Sequence, residues 1–341
     1  MKHLMFGLMA AALAGAAGAQ PAPASGPAPI RETPSNAALG VSADRYIGDP
    51  SRSVTWISRD AILTRAILTP GDPSKPGPGG AALRFRKEVD LGIIQPGEST
   101  PLATVPEQQL VYVSKGEGRL DDGAQAWDLK PGSVFIVPPG ARHRLASTGP
   151  DPLQMIMLST PAALATAVNQ IVVRDVSKVL YTEQNVHWSN HSKAPFSDFG
   201  ERFLVVYMGP MTVAAYHSHP PEFEEGWVKI TDGATLMQLG SEIRRWPANV
   251  GILSPNNSAV IHNAINPTES VQAWFYFQGR PAGAPAGPPA NAAPPAPPPI
   301  IPGGPAANGR RYNTPEIAAS AAASTVPSHP LPGASSAPRR R

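Results

Sequence analysis

The sequence predicts an all-β protein made of two tandem copies of one domain, and three observations carry that prediction. Between residues 39 and 280 the apolar residues come in short runs broken by Gly, Pro, Asn and Asp, the pattern of many short strands. Gly116 and Gly233 each close such a run at a turn, and Pro138 and Pro255 each follow one, both pairs being 117 residues apart, as an internal repeat requires. The only helical signal in this stretch is an Ala-rich piece at 161–169.

Along the chain, residues 1–19 come first. Lys2 and His3 precede an apolar run at 4–18, and Ala17-Gly18-Ala19 stands before Gln20, so the segment reads as a secretion signal and predicts a periplasmic or secreted protein. That run is shorter than the 18 or more apolar residues of a membrane span, and no later stretch reaches that length, so no membrane span is expected. Residues 20–38 are a Pro/Ala-rich lead, and residues 281–341 are a tail with sixteen of the chain's 42 prolines. Neither can bury enough apolar surface to offset the ordering of its backbone, and both are expected to be disordered. Within the tail, Asn313-Thr314-Pro315-Glu316 before an Ala run predicts one short capped helix. The folded part divides into 39–160 and 161–280. Its expected strands are 110–113, 133–137 and 153–158 in the first copy. In the second they are 203–208, 211–216, 227–230, 234–239, 250–253 and 271–277.

Composition removes several classes of function. The chain has no cysteine, which excludes disulfides, thiolate metal sites and a lipidated cysteine anchor. A net charge of +3 from scattered basic residues gives no footprint for nucleic acid. The chemistry must come from His, carboxylates or hydroxyls.

The second copy concentrates such residues. His217 and His219 are two apart, so on a strand they share a face, which Met211, Val213 and Ala215 would continue inward. Glu224 shares a strand face with Gly226, Val228 and Ile230, whereas Glu225 shares one with Trp227, Lys229 and Thr231. The apolar set belongs inside, so Glu224 is the preferred third ligand. His262 would arrive from a distant strand as the fourth. Three imidazoles and a carboxylate suit one divalent transition metal (Fe, Mn, Ni, Cu or Zn) and leave coordination positions open for substrate. Glu225 or Glu222 would then serve as a general base at the mouth. The other candidates have plainer readings. His143 alone holds no metal and reads as a core or rim histidine, His187 and His191 flank a loop, Arg244 and Arg245 either reach a substrate carboxylate from the barrel mouth or form a solvated hairpin end, and Asn266 fixes a turn.

These residues resemble the motifs of the cupin superfamily. Its first motif, G(X)5HXH(X)3-4E(X)6G, is similar to His217, His219, Glu224 and Gly233, with eight rather than six residues before the glycine. Its second, G(X)5PXG(X)2H(X)3N, is similar to Gly132, Pro138, Gly140 and His143 in the first copy, and to Pro255, His262 and Asn266 in the second. In the first copy Ala103, Val105 and Gln109 stand where the family places His, His and Glu. The resemblance implies a bicupin: two jelly-roll β-barrels with few short helices, metal ligands lost from the first and kept in the second, and association as a homodimer. It implies a metal-dependent oxidoreductase of the dioxygenase type, or a metal-assisted lyase, acting on a small oxygenated compound. The alternative is a non-catalytic bicupin that binds a small molecule or carbohydrate and has a structural or vestigial metal site. A bicupin isomerase or storage-type protein without metal catalysis is the third reading.

Overall fold

The computed structural model describes residues 42–182, 190–219, 223–255 and 260–279. The expected signal, the Pro-rich lead and tail, the capped helix at Thr314, His187 and Glu222 lie outside these residues.

Each half forms a large sheet and a smaller four-stranded one, facing each other as a barrel. In the first half the large sheet runs Val172–Asp175, Ser133–Val137, Gln108–Lys115, Leu153–Thr160, Glu88–Ile94, Ile62–Pro70, Thr55–Ser58, with Ala81–Leu83 parallel to Ile62–Pro70. Opposite lie Ala103–Thr104, Arg142–Ser147, Gly118–Asp121 and Ala126–Leu129. In the second half the large sheet runs Ile47–Gly48, Gly251–Ser254, Glu224–Lys229, Gln272–Gly279, Phe203–Met208, Asn190–Lys193, Tyr181–Thr182. Opposite lie Thr212–Val213, His262–Asn266, Thr235–Leu239 and Glu242–Trp246. Strand by strand the two orders correspond, so the repeat seen in Gly116/Gly233 and Pro138/Pro255 is a repeat of architecture.

Two strands cross the boundary expected at residue 160. Val172–Asp175 pairs with Ser133–Val137 of the first barrel, and Ile47–Gly48 pairs with Gly251–Ser254 of the second. Each half thus supplies the outer strand of the other's large sheet. The N-terminal strand is held further by Arg244, which reaches Asp44 at 2.9 Å and Glu242 at 2.5 Å, while Glu242 accepts a hydrogen bond from the Ala43 N–H. Arg244 is therefore a clamp on this segment rather than a hairpin end.

The outer faces of the two large sheets also pack on each other. Ile67, Leu68, Leu110 and Ile136 of the first share one apolar cluster with Val205, Val228 and Phe275 of the second. At Gly226 a Cβ would fall 2.0 Å from the Phe277 ring, so only glycine lets that ring lie across the strand. Central strands are therefore buried on both faces; Glu224–Lys229 has no exposed position. The interior of the first barrel is a separate cluster that includes Val111, Phe135, Leu145 and Met157.

Two local expectations fail for identifiable reasons. The helix predicted at 161–169 is a single 3-10 turn, Ala162–Leu164, because the Gln108 side chain binds both the N–H and the C=O of Thr166 and holds the following backbone extended. The strand predicted at 211–216 shrinks to Thr212–Val213. Met211 is left-handed (φ 52°) and half exposed, so the face expected to continue inward from the histidines stops short of it.

Candidate metal centre

His217 and His262 face each other across an isolated bridge, in which the His262 N–H donates to the His217 carbonyl at 2.8 Å and the reverse bond is 3.3 Å. This backbone pairing brings residues far apart in sequence together. Ring centroids are 4.2 Å apart for His217 and His262, 4.7 Å for His217 and His219, and 5.0 Å for His219 and His262. The carboxylate that meets them is Glu225: Oε2 is 2.6 Å from His219 Nε2 and Oε1 is 3.4 Å from His262 Nε2. One ligand atom from each of His217, His219, Glu225 and His262 lies within 4.8 Å of the other three. Glu225 and His262 are buried, and the first two histidines are partly open.

Glu224 does not join this group, and the sequence-based choice between the two carboxylates is corrected. Its Oε2 accepts the N–H groups of Arg84 and Phe85, at 2.5 and 3.0 Å, from the first half of the chain. Burial raises the Glu224 carboxyl above its ordinary value, against the pull of those N–H groups and of Arg86. The apolar face with Gly226 and Val228 is the one that packs on the other barrel. The interior face carries Glu225, Trp227 and Lys229, and its payload is aromatic. Trp227, Trp246 and Trp274 meet with centroids 5.5–5.7 Å apart beside His262. A base role for Glu225 at the mouth is likewise corrected, since its side chain is 1% exposed and points at the imidazoles. One signal for Glu225 was present in the sequence. Gln109 stands seven residues before Gly116, and Glu225 comes closer to that spacing before Gly233 than Glu224 does.

The cluster is fixed from outside. Trp227 Nε1 donates to Glu225 Oε1 at 2.6 Å and the Tyr276 hydroxyl to Oε2 at 2.9 Å, while Gln278 Nε2 donates to that hydroxyl at 2.8 Å. Ser254 Oγ lies 3.0 Å from the His262 ring nitrogens. Such outer partners set the orientation and basicity of ligand groups. Burial alone would push the Glu225 carboxyl up, but His219 and His262 hold it well below the usual carboxylate range. Burial pushes His262 below its ordinary value against the attraction of Glu225, favouring the neutral imidazole that metals bind. Burial and the Glu225 charge push the Tyr276 phenol well up, so it stays a donor. At the far end of the interior face, Lys229 donates to the Thr231 carbonyl, the Thr231 hydroxyl and Gln272 Oε1 at 2.6–2.7 Å, and burial lowers it to about 8.

The donor set fits a borderline divalent transition metal: imidazoles, one of them kept neutral, and an ionised carboxylate whose oxygens are already oriented.

The first barrel holds a different arrangement at the corresponding place. Ala103 pairs with His143 as His217 pairs with His262, and Gln109 opposes Val137 as Glu225 opposes Ser254, each before a repeat proline. Arg59 enters from the turn after Thr55–Ser58, where Arg59 and Asp60 are both left-handed (φ 48° and 61°). Its Nη1 lies 2.5 Å from His143 Nε2 and its Nη2 donates to the His143 carbonyl at 2.6 Å. Burial, aided by the guanidinium, lowers His143 to about 4. His143 is thus a buried, neutral core histidine capped by an arginine. Of the remaining candidates, His191 packs edge-on against Tyr181 with centroids 5.6 Å apart, away from the centre. Asn266 donates to the Gly209 and Ser270 carbonyls and accepts from Thr268, which is the turn-fixing role expected of it.

Residues 91–159, in the first barrel, match the family model for the cupin domain (Cupin_2). The chain is a cupin-fold protein. No curated protein matches its sequence. Among solved structures, the chain is similar to a variant of the oxalate decarboxylase of Bacillus subtilis, with TM-score 0.51 and 11% identity over 70% of this chain and 78% of that one. It is also similar to the formate complex of Lactobacillus farciminis oxalate decarboxylase, with TM-score 0.51 and 11% identity over 73% and 87%. A third is the Escherichia coli protein Ylba, of family model DUF861, with TM-score 0.52 and 12% identity over 69% and 89%. At such identities the likeness is one of fold, and at about 70% of the chain it extends over both barrels. The family match falls on the first barrel, and it includes the Gly132-to-His143 motif.

Proposed function

We propose that the protein is a metal-dependent enzyme whose second barrel holds one divalent transition metal through His217, His219, Glu225 and His262 and acts on a small oxygenated compound. The observation that supports this is the convergence of those four ligand atoms within 4.8 Å, with the carboxylate oriented by Trp227 and Tyr276. A metal held there would act as a Lewis acid on a substrate oxygen. The chain's own residues do the rest. The tryptophan cluster fills the barrel beneath the ligands and keeps water out, Ser254 orients His262, and Phe223 stacks on His219 with centroids 4.3 Å apart and limits the approach from that side.

A metal-assisted lyase is the reading favoured within this class, because solved structures of similar fold include oxalate decarboxylases. A dioxygenase-type oxidoreductase is separated from it by the assay. Metal content by mass spectrometry of untagged protein is expected to give about one divalent metal per chain, lost in a His217→Ala/His262→Ala double variant. Substrate screening then follows carbon dioxide release and oxygen uptake side by side. No metal in a folded wild type would refute the proposal and leave the small-molecule-binding bicupin.

We further propose export, with cleavage before Gln20, and a homodimer. N-terminal sequencing of the mature protein from periplasm and medium, and light scattering, test these. No helix among the described residues is long and apolar enough to cross a membrane.

A further inference from the structure

The geometry points to an anion pocket at the junction of the two barrels, with Arg202 as the group that recognises the carboxylate of an apolar one-ring acid. The substrate role of that acid rests on the metal-centre reading above; its binding does not. The cavity measures about 200 Å³, room for a fragment-sized ligand, and both halves of the chain build it. Phe85, Leu164 and Phe223 give it apolar walls, and Arg86, Glu201 and Arg202 give it charge.

Two of these three charged side chains pair with each other. Arg86 is buried and engaged at both terminal nitrogens: Nη2 is 3.3 Å from Glu201 Oε1 and 3.0 Å from the Gln278 carbonyl, and Nη1 donates to Thr160 Oγ1 at 2.7 Å. Glu201 is engaged at both oxygens, by Arg86 at Oε1 and by the Thr166 hydroxyl at Oε2. Arg202 is exposed and makes no ion pair among the described residues, so it offers the pocket a planar, carboxylate-matching fork.

Two of the pocket's residues also belong to the surroundings of the metal centre. The Phe223 ring that forms one wall is the ring stacked on His219. Gln278, another lining residue, donates to the Tyr276 hydroxyl that holds Glu225. A ligand with its carboxylate on Arg202 would lay its apolar body between Phe85, Leu164 and Phe223, one aromatic layer from the ligand histidines. Apolar walls beside the Arg202 guanidinium select against both small polar acids and neutral rings.

The test is calorimetric titration of the full-length protein, metal-loaded and chelator-stripped, with benzoate, benzamide and acetate, alongside the Arg202→Gln variant. Circular dichroism verifies folding of the variant, which alters an exposed side chain. Benzoate is expected to bind one per chain in both metal states, with benzamide, acetate and the variant each weaker by about tenfold or more. Benzoate binding that needs metal and ignores Arg202→Gln would overturn the pocket and leave the metal centre standing. Failure of benzoate to bind at all would also overturn it. Binding that depends on Arg202 in a protein that takes up no metal would keep the pocket and sink the metal reading.

Discussion

Exchanging Glu225 for Gln should remove the metal, and exchanging its neighbour Glu224 should not. Glu225 supplies the only carboxylate of the cluster, and Trp227 Nε1 and the Tyr276 hydroxyl both donate to it. A glutamine there loses the charge and must turn an NH₂ toward one of those donors or toward an imidazole. Four-ligand protein sites bind zinc with roughly 10–16 kcal/mol, so one ligand's share is about 2.5–4 kcal/mol, or roughly a hundred- to a thousandfold in affinity. Glu224 contrasts with this. Its carboxyl is raised by burial and accepts two backbone N–H bonds, and the glutamine amide oxygen can accept the same two. Glu224→Gln is therefore expected to keep full metal content and to change stability by less than about 1 kcal/mol. The assay is competition against a chelator of known affinity, read by mass spectrometry on both variants, with tryptophan emission as a fold check. Metal lost from Glu224→Gln and kept by Glu225→Gln would refute the assignment of faces; metal kept by both would show that the histidines suffice.

Four more expectations follow from the same contacts. Tyr276→Phe removes only the hydroxyl that orients Glu225 and should weaken metal binding by about 10–100-fold in the chelator assay without unfolding the barrel. His143→Ala should leave metal content unchanged, because His143 faces Arg59 in the other barrel; a loss of metal would show a missed shared site. Arg86→Met leaves Glu201 buried without its cation, at a cost of about 3–5 kcal/mol, which calorimetry should read as a melting temperature lower by roughly 6–20 °C. Asp90 is raised by burial to about 8 from 3.8, so the folded chain keeps a proton that the unfolded chain releases. Its contribution is full below pH 3.8 and is lost as pH rises through about 8, at up to about 1.4 kcal/mol per pH unit. Asp90→Asn should abolish that part of the pH dependence in urea titrations, and an unchanged slope would count against it.

How much was legible in the sequence follows from which signals are local. Strands 133–137 and 203–208 coincide with the observed Ser133–Val137 and Phe203–Met208, because each is a continuous apolar run ended by a Pro or a Gly. The histidines were legible as a pair, and His262 through the repeat, since Pro255 marks its place as Pro138 marks that of His143. The choice between Glu224 and Glu225 was not legible from alternation. That rule assumes one wet face, and Glu224–Lys229 is buried on both, by the barrel interior on one side and by the other barrel on the other. The loss of the 161–169 helix depended on Gln108, more than fifty residues away.

The sequence by itself determined the all-β class, the duplication and the three histidines of the second copy, because these rest on residue type and spacing along one chain; the lost ligand positions of the first copy were what the cupin resemblance implied. Only the tertiary structure decided which carboxylate meets the histidines, what stands beside His143, and where Val172–Asp175 and Ile47–Gly48 pair. Each of those depends on what packs against a strand from elsewhere in the chain. A residue's neighbours across a barrel, or across the interface of two, leave no periodic trace in its own segment.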